Sequence, residues 1–316
     1  MIKNSKKIRF HIILIITLTG FFSGCTRGET DKNIKQLETL GISTKKSIII
    51  GGPLGRDPQM TYQEYIPWLN YIEEKMDIPV EMVFSSEYDD MVNRMRNNEL
   101  DVVFMNPLQY ALSLRISDYK MLLTRNIRGG TFYQTAIISH SDWGFLSLSD
   151  LRNKTIGFVT RDSTTGFYVP LQMLQKAGLA STNYISYFFG NHESVVKEVI
   201  SKKIHAGAIF AGSDGFHTGY KVLSNEPSKL NRLTTLAVSM DIPCPVIVFS
   251  QRFMNNRKHT AEHLIQILLN INNNPQGKLI MQSLLDEGLE NSYSLPDEGL
   301  YMEFIEKALQ INGSKR

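Results

Sequence analysis

From residue 47 onward the apolar positions fall into two alternating rhythms. Short unbroken runs rich in β-branched and aromatic residues predict buried strands; stretches with apolar residues three or four apart predict amphipathic helices. Ser47-Ile48-Ile49-Ile50 opens the series, followed by a helix-like run from Tyr62 to Met76 with Tyr62, Tyr65, Ile66, Leu69, Ile72 and Met76 on one face. Pro79–Phe84 alternates as a strand, Tyr88–Asn98 reads as a helix and Asp101–Met105 as a third strand. That β-α-β-α-β order with short connections predicts a parallel sheet covered by helices.

A second set repeats the rhythm. Strands are expected at Thr135–Ile138, Lys154–Val159, Tyr184–Phe189 and Ala206–Phe210. Helices are expected at Leu148–Leu151 (capped by Ser147 or Ser149), 166–177 and Glu193–Ser201. After a strand at Val246–Phe249 the chain reads as mostly helical, with amphipathic segments at Thr260–Ile271, Gln276–Leu285 and Leu300–Leu309. No internal repeat or heptad pattern stands out.

One junction in this pattern is chemically distinctive. Between the strand ending at Val159 and the helix ending before Gly178 lies Ser163-Thr164-Thr165-Gly166, three hydroxyl residues and a glycine where a strand hands over to a helix. The first N–H groups of a helix lack intrahelical partners and its dipole favours negative charge, so such a start can hold an oxyanion. The plainer reading is that Ser163 or Thr164 serves only as an N-cap.

Composition changes the picture at the N-terminus. Lys3, Lys6, Lys7 and Arg9 precede an apolar run from Phe10 to Phe22, too short to span a bilayer, and then comes Phe22-Ser23-Gly24-Cys25. The chain of 316 residues, long enough for two lobes, therefore reads as an exported protein. Its 34 Lys and Arg against 31 Asp and Glu suggest a basic protein, but four of those bases belong to residues 1–24, which hold no acid. What remains is 30 bases against 31 acids, so nothing in the charge points to nucleic acid. After Cys25 only Cys244 remains, between Pro243 and Pro245 ahead of a strand, and it reads as a small buried hydrophobe.

Two motifs compete for chemistry. His259-Thr260-Ala261-Glu262-His263 matches H-x-x-E-H, in which two histidines one helical turn apart bind zinc. Its neighbours are polar and no third ligand is evident, so an exposed helical face is the simpler reading. Ala211-Gly212-Ser213-Asp214-Gly215 approximates the nucleophile elbow of α/β-hydrolases, with Asp241 and His259 as formal partners for Ser213, against a glycine-rich loop as the alternative.

Two family resemblances gather these features. Cys25 after Ser23-Gly24 resembles the lipobox of bacterial lipoproteins, which implies cleavage before Cys25, diacylglyceryl attachment to it and N-acylation of the new terminus. Gly51-Gly52-Pro53, Tyr88-x-x-Met91, Leu100–Pro107, Asp150–Phe158, Ser163–Pro170 and Gly190-Asn191-His192-Glu193 occur in an order that resembles the phosphate/phosphite/phosphonate substrate-binding proteins of ABC importers. That resemblance, over roughly residues 47–255, implies an α/β periplasmic-binding-protein fold (type II-like) of two lobes with a ligand cleft between them. It implies 46–134 plus 240–316 as lobe 1 with C-terminal helices and 135–239 as lobe 2, while the lipobox resemblance implies residues 1–24 as lipoprotein signal peptide and the polar, charged composition after Cys25 reads 25–45 as tether. The family's phosphoryl-holding helix start falls on Ser163, Thr164 and Thr165, its cleft histidine on His192 and its ligand-contacting tyrosines on Tyr88 and Tyr133.

Departures bear on the ligand. The acid with which some members pair an amine falls near Ala211–Ser213, with Asp214 only adjacent, and the family's aspartate in a Pro-x-Asp-Pro segment meets Pro243-Cys244-Pro245. His205 stands where an Asp is usual before Ala-Gly-Ala and reads as structural. The resemblance implies no enzyme, cofactor or metal. It implies a monomeric, lipid-anchored protein on the periplasmic or outer face of a cell membrane that passes a small phosphorus oxyanion to an ABC permease. The same body signalling occupancy to a membrane receptor is the alternative.

Overall fold

The computed structural model describes residues 46–52, 58–85, 87–114, 118–127, 129–215, 217–284 and 291–313. The leader, the tether, Cys25 and Pro53 lie outside the described residues. The chain is α/β, with two six-stranded sheets flanked by helices. The first half supplies β1 (Ile48–Gly51), α1 (Pro58–Met76), β2 (Val80–Val83), α2 (Tyr88–Arg96), β3 (Val102–Met105), α3 (Pro107–Ser113), β4 (Tyr119–Asn126) and β5 (Phe132–His140). Next come β6 (Thr155–Phe158), a π-helical turn at Thr164–Tyr168 continuing as α4 (Val169–Lys176), β7 (Ile185–Phe188), α5 (His192–Ile200) and β8 (Ala206–Gly212). The remainder is α6 (Thr218–Val222), α7 (Pro227–Leu230), β9 (Leu233–Val238), β10 (Ile242–Pro243), β11 (Val246–Ser250), α8 (Gln251–Asn256) and α9 (Lys258–Leu269). It ends with α10 (Pro275–Ser283), β12 (Ser292–Ser294) and α11 (Glu298–Gly313).

The first sheet has the order β12-β4-β11-β3-β1-β2 and the second β10-β5-β8-β6-β7, with β9 also on β5. β1, β2 and β3 are parallel, as their β-α-β pattern predicts. The sheet as a whole is mixed, however, because β11 runs antiparallel to both β3 and β4 and β12 antiparallel to β4. The cause is the short return from the second sheet. The chain leaves the first sheet after Asn126 and re-enters at Val246, which pairs with Thr124 near the exit and Met105 at the end of β3. A strand entering where its neighbour leaves has to run opposite to it.

Central strands are buried on both sides, which is why they read as unbroken apolar runs: β3, β8 and β11 have no exposed residue. Ile48, Ile50, Trp68, Phe104, Phe249 and Leu264 pack on one face of the first sheet, and Met91, Val103, Met105, Val248 and Tyr301 on the other. Around the second sheet the equivalent layers centre on Ile138, Val195, Val199 and Ile209, and on Ile137, Phe158, Leu174 and Ala208. Full burial of each such side chain contributes about 1.5–3 kcal/mol.

The two crossing segments are stitched to one another. Arg125 N–H donates to the Pro245 carbonyl at 2.8 Å and Cys244 N–H to the Thr131 carbonyl at 3.1 Å. Cys244 is fully buried between them with Ile127, Tyr133, Phe210 and Ile242, as a small hydrophobe would be. Because β5 starts at this crossing and pairs Tyr133 with Gly212, the carboxyl ends of β8 and its parallel neighbour β6 face the crossing, as do those of β3 and β4. In open α/β sheets the loops at carboxyl strand ends are where ligands are held.

Candidate functional site

Each candidate residue from the sequence sits next to such a strand end. Ser163 follows β6 and is the N-cap of the π-helical turn: its Oγ accepts the Gly166 N–H at 2.9 Å. By position the N–H groups of Thr164 and Thr165 precede the first intrahelical acceptor, so they point out of the helix start with nothing in their own helix to bond. The helix start is clamped to the strand it leaves by the Val159 N–H, which donates to the Gly166 carbonyl at 3.0 Å.

The three hydroxyls do different things. Thr164 is buried; its hydroxyl donates to Asn106 Oδ1 at 2.9 Å and accepts the Leu108 N–H at 3.3 Å, so it ties the second sheet's loop to the start of α3. Thr165 is buried on the other side of the turn, where its Oγ1 lies 3.4 Å from His192 Nε2. Ser163 is half-buried and has its hydroxyl hydrogen left to give after capping.

His192 is the first residue of α5, with Asn191 as N-cap. The Phe210 N–H donates to His192 Nδ1 at 3.0 Å, so the neutral ring carries its proton on Nε2, facing Thr165. The Nε2–H donating to Thr165 Oγ1 leaves the Thr165 hydrogen free to donate onward, a chain of donors running from a backbone amide of β8 to the helix start.

Tyr88 opens α2 and is half-buried, its hydroxyl donating to the Gln109 carbonyl at 3.3 Å. Burial, and next the Asp162 carboxylate, push its ionisation far above the ordinary tyrosine value, so Tyr88 stays an O–H donor throughout the physiological range. Tyr133 is placed differently. Its ring stacks on Phe210, 5.7 Å between centroids, within the apolar cluster at the crossing segments, and it is nearly fully buried. Two residues along the same strand face, the Thr135 hydroxyl donates within 2.6 Å of the Thr165 carbonyl, so β5 supports the helix start from below.

A second group belongs to the site without having been read from the sequence. Asn106 and Gln109 form a reciprocal capping box at the start of α3: Gln109 N–H to Asn106 Oδ1 at 2.9 Å and Asn106 N–H to Gln109 Oε1 at 3.0 Å. The Gln109 amide donates to Asp162 Oδ2 at 2.8 Å, and Asn106 Nδ2 to the Asp162 carbonyl at 3.1 Å. Asn106-Pro107-x-Gln109, a capping residue followed by proline and glutamine, was the available signal for that helix start.

The competing motifs are placed apart. His259 on α9 has a fully exposed side chain, 3.7 Å from Glu262, and His263 is exposed on the same helix. Ser213 lies in an exposed turn whose next helix begins at Thr218, while Asp241 accepts from Gln134 at 2.9 Å. His205 pins β8 to β6 through Thr155, 2.7 Å from its hydroxyl.

The family model described as ABC transporter, phosphonate, periplasmic substrate-binding protein matches residues 50–292. The phosphonates-binding periplasmic protein of Escherichia coli is 22% identical over 227 residues, 70% of this chain and 65% of that protein. The phosphate-import protein PhnD of Mycolicibacterium smegmatis is 25% identical over 159 residues, 46% of this chain and 49% of that protein. The matched stretches thus span less than two thirds of either relative. The structure of PhnD1 from Prochlorococcus marinus in complex with methylphosphonate superposes with a TM-score of 0.70 at 18% identity, covering 84% of this chain and 98% of that one.

Proposed function

The chain belongs to the periplasmic substrate-binding proteins of phosphonate ABC transporters, and from that membership we propose that it captures a small phosphorus oxyanion, phosphate, phosphite or a simple phosphonate, and hands it to an ABC permease. The observation that carries the ligand class is the helix start capped by Ser163, with the Thr165 hydroxyl 3.4 Å from the His192 Nε2 donor; the first N–H groups of such a start have no acceptor in their own helix. Tyr88 joins from the first sheet's side when its O–H, here given to the Gln109 carbonyl, turns to the ligand. Donors of this kind, with no cation among them, suit a compact oxyanion. In this reading the sheets are the cores of two lobes, the crossing segments at 126–127, 129–132 and 243–246 are the hinge, and ligand shifts the population toward the closed form.

The test is thermal unfolding of the purified protein with phosphate, phosphite or methylphosphonate. An occupied site stabilises by about 2.7 kcal/mol at a ligand concentration of 100 Kd, which raises Tm by several degrees. Replacing Ser163, Thr164 and Thr165 together by alanine removes that rise. If none of the three anions shifts Tm at millimolar concentration, the ligand class is wrong. Membrane attachment through Cys25, supported by the lipobox-like Phe22-Ser23-Gly24-Cys25, has its own readout. A Cys25→Ala chain leaves the membrane fraction on expression; equal retention of both chains argues against the anchor.

A further inference from the structure

At the end of the second sheet opposite the Ser163 helix start, an apolar loop is exposed on the surface. It joins β5 to β6 and begins beside the amino ends of β6 and β8, whereas Ser163 follows the carboxyl end of β6. Leu146 in this loop is 90% exposed, the most of any large apolar side chain among the described residues, and Trp143 is 38% exposed. The Trp143 ring stacks on Phe145, 6.3 Å between centroids, and lies 4.7 Å from the His205 ring. The backbone beneath these side chains is fixed. The Leu146 and Ser147 N–H groups both donate to Asp150 Oδ2 at 2.9 Å, the Gly144 N–H to the Ser141 carbonyl at 3.0 Å and the Asp142 N–H to His140 Nδ1 at 3.1 Å. Cations stand around it. Lys154 Nζ lies 5.8 Å over the Phe145 ring, Lys202 forms an ion pair with Asp142, and Arg232 also acts on that carboxylate. The two acids of the loop are thus engaged, Asp142 by Lys202 and Asp150 by the loop's own N–H groups.

We propose that the loop at Trp143–Leu146 is a membrane-contact surface whose occupant is the headgroup boundary of an anionic bilayer. The inference rests neither on the oxyanion reading nor on the Cys25 anchor. A hydrogen-bonded backbone that holds a leucine and a tryptophan out in water marks an interaction site more than a packing accident. The combination of residue types selects lipid. An indole places its ring among acyl carbons with its N–H at the headgroups, and leucine adds apolar depth. Lysine stems run along apolar surface while their ammonium groups reach lipid phosphates, as Lys154 over Phe145 is placed to do. A bilayer boundary accepts such a wedge without the shaped pocket that a folded partner has to supply. With the loop in lipid, the Ser163 helix start at the other end of β6 is directed away from the bilayer. The contact is then a resting pose suited to ligand capture, and it has to be weak enough to break for delivery.

The experiment is tryptophan fluorescence of the full chain carrying Cys25→Ala, titrated with vesicles of phosphatidylglycerol and phosphatidylethanolamine whose acyl chains are brominated. The chain has two tryptophans and Trp68 is fully buried, so the response reports on Trp143. Expected is a blue shift with quenching by the brominated chains. Leu146→Asp raises the lipid concentration for half-quenching by at least about tenfold. Brominated phosphatidylcholine, which has no net charge, raises it by at least about fivefold. Leu279→Asp, at an exposed leucine of α10, leaves it unchanged. Every chain compared carries the same leader, so differences among them report on the loop. Trp143 emission that ignores the vesicles overturns the proposal, as does equal quenching in the wild type and Leu146→Asp. A blue shift that grows with protein concentration without vesicles assigns the loop to a second copy of the chain and also overturns it. Each of these outcomes leaves the anion-induced thermal shift, and with it the oxyanion reading, untouched.

Discussion

Gly166→Ala will lower stability by about 1–3 kcal/mol and abolish anion binding, although it adds one methyl group at a position with ordinary backbone torsions. The reason is proximity. A Cβ built on Gly166 stands 2.4 Å from Val159 Cβ and Cγ2 and 2.7 Å from Ser163 Oγ. Two of those atoms belong to a β-branched side chain leaving β6, buried, with its Cβ fixed by the backbone, so no rotamer of Val159 clears the clash. The helix start has to lift instead. Lifting it stretches the Val159 N–H to Gly166 carbonyl bond and draws the Gly166 N–H off Ser163 Oγ, so the cap is weakened at the same time. A lost cap adds about 0.5–2 kcal/mol. The same displacement moves the Thr164 and Thr165 N–H groups by a large fraction of a hydrogen-bond length, more than an oxyanion site tolerates. Urea unfolding and ligand-induced thermal shift measured on the same preparation check both parts. A variant with the wild-type midpoint and an intact ligand shift would show that the close approach does not constrain the site.

How much of this could be read from the chain depended on whether an element's pattern is local. The strands at 102–105, 206–212 and 246–250 announced themselves because burial on both faces leaves a continuous apolar run. Ser163–Gly166 was legible for a similar reason, three hydroxyls and a glycine between a strand pattern and a helix pattern having few other uses. β4 and β9 were not: Tyr119–Asn126 mixes charged and apolar residues without alternation, and Leu233–Val238 is half-exposed along its length. The direction of β11 was also hidden, since it follows from where the chain re-enters the sheet and not from its own residues. The partners of the cradle were hidden most completely. Asn106 and Gln109 meet Asp162 and Thr164 across 53 to 58 residues of sequence, and nothing local in either segment names the other. For Tyr133 the resemblance supplied a role while the fold supplied a surrounding, an apolar stack on Phe210, that alternation along β5 could not have distinguished from a cleft wall.

The second large effect belongs at the opposite end of β3. Asp101→Ala will destabilise the protein by about 2–4 kcal/mol while the ligand-induced shift of the folded protein stays as it was. Asp101 is almost fully buried where the chain enters β3. Its Oδ2 accepts the Ile49 N–H at 3.1 Å, and its Oδ1 accepts from Arg252 Nη2 at 3.0 Å; Arg257 Nη1 lies 3.8 Å from Oδ2. Removing the carboxylate strands a backbone donor of β1 and takes the shared anion from two guanidinium groups. Arg257 keeps the carbonyls of Ser47 and Lys46, both at 2.8 Å, and Arg252 has access to water, which holds the loss below that of an isolated buried ion pair. Asp101→Asn retains an oxygen for Ile49 and costs less, about 1 kcal/mol. Neither change reaches the cradle. Asn106, the cradle's anchor on this strand, lies about 16 Å further along at 3.3 Å per residue, beyond the packed interior of β3. The measurement is a pair of urea curves, with and without ligand, for each variant. Wild-type stability of Asp101→Ala would show that the Arg252 and Arg257 contacts carry no weight. A lost ligand increment would show that the two ends of β3 are coupled.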